Sequence, residues 1–254
     1  MALEIEFLGW ATFRLISDKG TKMVIDPSLE GDLAHKVPRG TVSVKDLADT
    51  HMVIVTHAAP DHFAQTVELM KTSRATLFCS KDVSLKVLKE GIPAERVFSM
   101  VPGVRFTFMD IGIKALKSAH ISMSEFEGHW LTGVPLSFLL DFGPEERIFY
   151  SGDDALGPHY RFYGEFYQPN LAFLGIGGIN TNGQCLTELY PDEAAVAAKW
   201  LNVRAVIPMH YLGDEDQKLA QELAKTAPEV QLAVMQPGER LRFSGARGII
   251  PSNL

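Results

Sequence analysis

The run Met52-Val53-Ile54-Val55-Thr56 constrains the fold more than any other part of the chain. It is continuous, largely β-branched and free of polar alternation, which predicts a strand buried on both faces. A helical pattern over His62–Lys71 follows, then a second apolar run at Ala75–Cys79. Asp82–Glu90 then reads as a helix with Asp82 as N-cap and Gly91 as its stop. Ahead of this β-α-β-α series, Leu3–Leu8, Thr12–Ser17 and Met23–Asp26 read as strands joined by turns around Gly9 and Asp18-Lys19-Gly20.

The second half repeats the order. Val104–Met109, Ile113–Ser118, Pro135–Asp141, Arg147–Ser151 and Leu171–Gly175 are strand-like. Pro191–Leu201 is a helix with Pro191 in its first turn and Asp192 and Glu193 complementing the helix dipole. Val203–Pro208 reads as strand, Asp214–Ala227 as helix, and Val230–Met235 and Arg240–Phe243 as closing strands. With no repeat, low-complexity segment or linker, residues 1–254 are expected to form one α/β domain, two sheets packed inside outer helices. At 254 residues and 46% hydrophobic content, such a chain buries a sizeable core without metals or disulfides.

A formal charge of −7 argues against nonspecific binding to nucleic acid and to anionic membranes. Acids interrupt the first apolar stretch, Met1-Ala2-Leu3-Glu4-Ile5-Glu6-Phe7, and no stretch approaches the ~18 apolar residues of a membrane span. Two distant cysteines, Cys79 and Cys185, suit a reducing compartment. A soluble cytoplasmic protein acting on a small molecule is expected.

Chemistry-bearing residues stand where strands end. His57 closes the buried strand and begins His57-Ala58-Ala59-Pro60-Asp61-His62, which turns three potential ligands into one tight loop at a helix start. His120 follows the strand at 113–119, Asp153 follows Arg147–Ser151, and His210 follows 203–209. The carboxyl edge of an α/β sheet is where such folds bind ligands. One histidine in such a place is ordinarily structural; the whole set is the ligand set of a metal centre. His35, His51, His129 and His159 read as solvent or loop residues.

Thr56-His57-Ala58-Ala59-Pro60-Asp61-His62 resembles the T-H-x-H-x-D-H signature of the metallo-β-lactamase superfamily. His120, Ser151-Gly152-Asp153 and Pro208-Met209-His210-Tyr211 fall in the order of that family's later motifs. In pattern the chain is similar to the branch with ascorbate-6-phosphate lactonase and the group called metal-dependent hydrolases. The resemblance covers about Leu3 to Phe243 and implies a four-layer αββα sandwich. It also implies one metal on His57, position 59 and His120, a second on Asp61, His62 and His210, and Asp153 bridging both. Ala59 departs from the family by removing one ligand, so the second site stays complete while the first keeps His57, His120 and Asp153. Three protein ligands plus water still make a catalytic zinc site, and occupancy by one ion or two is open.

Mixed imidazole and carboxylate ligands suit Zn²⁺, with Mn²⁺ or Fe²⁺ as alternatives. Such an ion lowers the pKa of bound water to about 7 and polarises a carbonyl or phosphoryl oxygen. Asp61 and Asp153 are the candidates to orient that water and relay its proton. The expected activity is metal-dependent hydrolysis of a lactone, amide or phosphoester; the alternative is a relative that binds metal or ligand without catalysis. Around the ligands, Asp26 is placed to hold an imidazole through its second N–H, as is Asp154 unless it is a surface acid. Tyr211 either reaches substrate or caps its strand, and Trp10 either narrows the site mouth or packs. Five aromatics fall within Tyr160–Tyr167. That stretch forms an aromatic wall over the site, or packs on its own domain or a second copy, and Arg161 within it is the candidate anion contact.

Overall fold

A computed structural model describes residues 2–31, 37–143, 145–177 and 188–250, with backbone alone at 180–181, 184–185 and 251. Strands β1 (Leu3–Gly9), β2 (Thr12–Ile16) and β3 (Lys22–Ile25) form an antiparallel meander. The chain then passes through β4 (Met52–Val55), helices α1 (Pro60–Phe63) and α2 (Thr66–Thr72), β5 (Thr76–Cys79), α3 (Lys81–Lys89) and β6 (Val97–Ser99). From β3 to β6 the pairing is parallel. Next come β7 (Arg105–Phe108), β8 (Ile111–Lys117), β9 (Ser122–Phe126), β10 (His129–Gly133), β11 (Leu136–Asp141) and β12 (Arg147–Tyr150). They are followed by α4 (His159–Tyr167), β13 (Leu171–Gly175), β14 (Asn180–Thr181), β15 (Gln184–Cys185), α5 (Pro191–Leu201), β16 (Ala205–Met209), α6 (Glu215–Thr226) and β17 (Gln231–Leu232). Finally β18 (Arg240–Ser244) and β19 (Gly248–Pro251) return to the first sheet, whose order is β19-β18-β1-β2-β3-β4-β5-β6. The second sheet runs β17-β16-β13-β12-β11-β8-β7.

Strand alternation builds the layers. In β4, Met52 and Ile54 face the space between the sheets, while Val53 and Val55 face Leu69 and Met70 of α2 and Val83 and Val87 of α3. In β13, Leu171 and Phe173 enter the same inter-sheet core, while Ala172 and Leu174 pack under α4, α5 and α6. Both faces of each central strand are therefore apolar, which is why these runs show no alternation. The result is the expected αββα sandwich of two mixed sheets inside helices.

Several local expectations need correction. The helix expected over His62–Lys71 is two helices, because Gln65 leaves the helical path: its N–H bonds to Pro27 O at 2.9 Å and its amide oxygen accepts from Leu29 N at 2.5 Å. Helix α3 starts one residue before the expected cap, with Ser80 at the N-cap position. The Asp82 carboxylate is instead buried and accepts a hydrogen bond from the Ser122 hydroxyl. The aromatic stretch is helix α4 on the outer face of the second sheet. Tyr160 and Tyr163 pack inward, and Gly164 lets α5 approach so closely that a Cβ there would lie 2.0 Å from Trp200 O. Residues expected as a loop after His120 form the β9–β10 hairpin, turned by Glu127 and Gly128 at φ 52° and 75°.

Candidate metal centre

Four strand ends deliver the cluster. His57 follows β4, His120 follows β8, Asp153 follows β12 and His210 follows β16, while Asp61 and His62 sit on α1. His57, His62, Asp153 and His210 are buried, and Asp61 and His120 keep slight exposure at 13% and 9% of their side chains. Approach from solvent is therefore on the Asp61–His120 side.

Asp153 divides the imidazoles into two pairs. Its Oδ1 lies 3.0 Å from His62 Nε2 and 3.5 Å from His210 Nε2. Its Oδ2 lies 3.6 Å from His57 Nε2 and 3.7 Å from His120 Nε2. Asp61 Oδ2 adds to the first pair, 3.0 Å from His210 Nε2 and 3.7 Å from His62 Nε2. The structure thus brings together all six residues expected as ligands.

Among the described residues, His57 Nε2, His62 Nε2 and Asp153 Oδ1 are buried without a well-formed hydrogen bond, the last two facing each other at 3.0 Å. Each such group costs about 1–3 kcal/mol when left unsatisfied. A divalent cation satisfies all three at once, and the groupings His57–His62–Asp153 and Asp61–His62–His210 have the spacing to hold one. The residues fit a metal.

The outer ring nitrogens of His62, His210 and His57 are held from behind. His62 Nδ1 is 2.9 Å from Asp26 Oδ2, as expected for Asp26, whose carboxylate also accepts from Thr56 N and Thr56 Oγ1, both at 2.8 Å. His210 Nδ1 is 2.9 Å from Glu188 Oε2, and His57 Nδ1 is 3.0 Å from Thr56 Oγ1. Glu188 went unnoticed in the sequence because it follows no apolar strand and belongs to no motif; its burial is the signal that exposes it. Trp10 does more than pack: its indole N–H donates to Asp61 Oδ2 at 3.1 Å, and its ring lies 4.1 Å from that of His210. Trp10, Asp26 and His210 all adopt positive φ, at 55°, 45° and 61°. Non-glycine residues hold that conformation only where their surroundings over-determine it.

Electrostatics follow from burial and mutual contact. Burial opposes charge on His62, yet Asp153, Asp26 and Asp61 hold its pKa well above the ordinary imidazole value. Against the same opposition, Asp153 and Glu188 carry His210 up to about 10. Burial and the neighbouring His62 push His57 down. Asp153 stays ionised against burial because His210 and His62 face it, and burial pushes Glu188 upward.

Other sequence expectations resolve differently. Asp154 is a buried acid rather than a surface one, but the imidazole it holds is that of His159, at 3.0 Å, not one of the cluster. Its other oxygen accepts from Ala119 N at 2.6 Å and so anchors the residue before His120. His159 is accordingly a packed residue at the start of α4, not a solvent histidine. Arg161 does not join the site: its guanidinium lies 5.1 Å from the Trp200 ring centre, between α4 and α5. Tyr211, half-buried, lines a cleft beside His210. His51 and His129 are exposed, and His35 lies outside the described residues.

A model of the beta-lactamase superfamily domain matches residues 21–211, the span that holds all six cluster residues. The chain belongs to that superfamily. It is 31% identical to a UPF0173 metal-dependent hydrolase of Rubrobacter xylanophilus over 250 residues, covering 93% of this chain and 95% of that one. Igni18, a novel metallo hydrolase from the archaeon Ignicoccus hospitalis, shares the fold with a TM-score of 0.77 at 23% identity, covering 96% of this chain and 99% of that one. CmlA, a diiron β-hydroxylase from Streptomyces venezuelae, shares it with a TM-score of 0.69 at 14% identity, covering 96% of this chain and 54% of that one. Superfamily membership thus fixes the scaffold, while the chemistry has to be read from the site.

Proposed function

We propose that the chain is a metal-dependent hydrolase of small molecules. The observation that carries this reading is the convergence of four imidazoles and two carboxylates around Asp153, with His57 Nε2, His62 Nε2 and Asp153 Oδ1 buried and without a well-formed hydrogen bond. Asp61, His62, His210 and Asp153 would hold the firmer ion, and His57, His120 and Asp153 a weaker one, since Ala59 contributes no ligand. When bound, such an ion supplies a water of lowered pKa and polarises the carbonyl or phosphoryl oxygen of a lactone, amide or phosphoester.

This chain's residues do the rest. Asp26 and Glu188 hold the His62 and His210 rings so that each Nε2 points inward. Trp10 holds Asp61 by its carboxylate oxygen, leaving that acid at the solvent side to orient a water and accept its proton. Burial of the other ligands keeps bulk water out, which strengthens every charge interaction inside.

Metal analysis of the purified protein, with a hydrolysis screen in added Zn²⁺ or Mn²⁺, tests the reading. Retained metal and metal-dependent turnover are expected. Absence of both sinks it in favour of a non-catalytic relative. Ala59→His separates the one-ion and two-ion forms: a rise in metal content with a rise in activity marks Ala59 as a disabling residue, whereas a fall in activity marks the one-ion site as the working one.

A further inference from the structure

The ligands on the two sides of Asp153 are secured differently. His62 and His210 each set an outer nitrogen against a buried carboxylate, whereas His120 Nδ1 is buried without a hydrogen-bond partner among the described residues. With alanine at position 59, His57 and His120 are the imidazoles on the Oδ2 side of Asp153, at 3.6 and 3.7 Å. The His120 ring is therefore placed by its backbone. Before it, Ser118 Oγ donates to Asp153 O and Ala119 N donates to Asp154 Oδ1, both at 2.6 Å. After it stands Ser122.

Ser122 is fully buried and joins two further elements. Ala58 N, next to His57, donates to its hydroxyl oxygen at 3.0 Å. An amide N–H only donates, so the Ser122 hydroxyl proton is left for the Asp82 carboxylate, which accepts it. These bonds run from α3 through the foot of β9 to the residue after His57, so one hydroxyl ties the two ligand loops together. Asp82 is 2% exposed, and its other oxygen, Oδ1, has no hydrogen-bond partner among the described residues. Lys86, one turn along α3, sets its ammonium 4.7 Å from the Phe63 ring centre instead of on Asp82. The ribbon is shaped around this acid: Gly133 pairs with Ser122, and a Cβ on Gly133 would run into the Asp82 carboxyl group. Burying a carboxylate on one hydrogen bond is costly, and apolar side chains serve simple packing as well or better.

We propose that Asp82 is a positioning residue for the metal centre, acting through Ser122 to hold His57 and His120 at the separation one ion requires. The assignment rests on the metal-dependent hydrolase reading and deepens it, giving a support to the side of the centre that Ala59 depletes.

The test adds zinc to metal-free protein and follows the histidine ring nitrogens by NMR in the native chain, Asp82→Leu, Ser122→Ala and Asp82→Asn. In the native chain, Nε2 of His57, His62, His120 and His210 is expected to take zinc. In Asp82→Leu and Ser122→Ala, the zinc concentration that half-converts His57 and His120 is expected to rise about tenfold or more, with His62 and His210 unchanged. Asp82→Asn keeps an acceptor for the Ser122 hydroxyl and is expected to match the native chain. Either of the first two variants decides alone if the other fails to fold. Unchanged half-conversion of His57 and His120, equal weakening of all four rings, or an Asp82→Asn as weak as Asp82→Leu overturns the assignment. A native chain in which zinc reaches only His62 and His210 also overturns it, and leaves the hydrolase reading standing. Zinc on none of the four rings overturns the hydrolase reading and this assignment with it.

Discussion

At the residue scale, the centre is a set of inward atoms fixed by partners behind them. Asp26 and Glu188 each spend a buried carboxylate on one imidazole. Asp26→Asn and Glu188→Gln are expected to weaken zinc affinity by about 10–100-fold, as measured by competition with a chromophoric chelator. Protonation sets a second expectation. In the metal-free protein the His62 and His210 pKa values are raised, that of His210 to about 10, so both rings are charged at neutral pH. A metal takes the neutral imidazole, so loading must expel those protons. Apparent affinity should therefore rise with pH, roughly tenfold per unit for each proton released. Calorimetry in buffers of different ionisation heat counts them, and a loading heat independent of buffer would refute this. The six inward residues were legible because each stands at a strand end or on the helix after one. Glu188 was not, since its partner lies 22 residues away and only folding brings them together. Asp154 was placed near the right loop but paired with the wrong ring.

At the element scale, what was legible tracks burial on two faces. β4, β5, β13 and β16 are central strands whose uninterrupted apolar runs have no other use in a globular chain. The β9–β10 hairpin escaped because its alternation is weak, with exposed Met123 and Trp130, and because Glu127-Gly128 is not a strong turn signal. Helix α4 escaped because a dense aromatic run says little about helix or loop until its partners, Phe149 and α5, are known. One glycine ties element geometry to the centre. Gly152 takes φ 58° at the end of β12, and a Cβ there would lie 2.9 Å from Thr56 Cγ2. Thr56 carries both the Asp26 and the His57 contacts. Gly152→Ala is therefore expected to lower stability by about 1–3 kcal/mol, from αL strain and overpacking. It should also weaken zinc binding, since Asp153 is the next residue. Urea unfolding and chelator competition read the two effects separately.

At the scale of the whole molecule, the inter-sheet core runs from Leu3 and Phe243 through to Met209, joining residues of both halves. One cooperative unfolding transition is expected from that shared core, and calorimetric and spectroscopic melting curves should coincide. Zinc at about a hundredfold excess over its dissociation constant adds about 2.7 kcal/mol, which for a chain of this size raises the midpoint by about 5–10 °C. A chelator should return it. Two separated transitions would show that the halves unfold independently. Among the described residues, no helix is long and apolar enough to cross a membrane.

The β9–β10 ribbon begins two residues after His120 and pairs with no other strand among the described residues. Its base is pinned, Ser122 bonding both the Asp82 carboxylate and the Ala58 amide, while its outer residues face solvent. Its ladder closes on itself, so rungs can be added or removed at the tip without shifting the register of either large sheet. The ribbon is thus a place where descendants of one scaffold can diverge in length and sequence at low risk to the donor atoms at its foot.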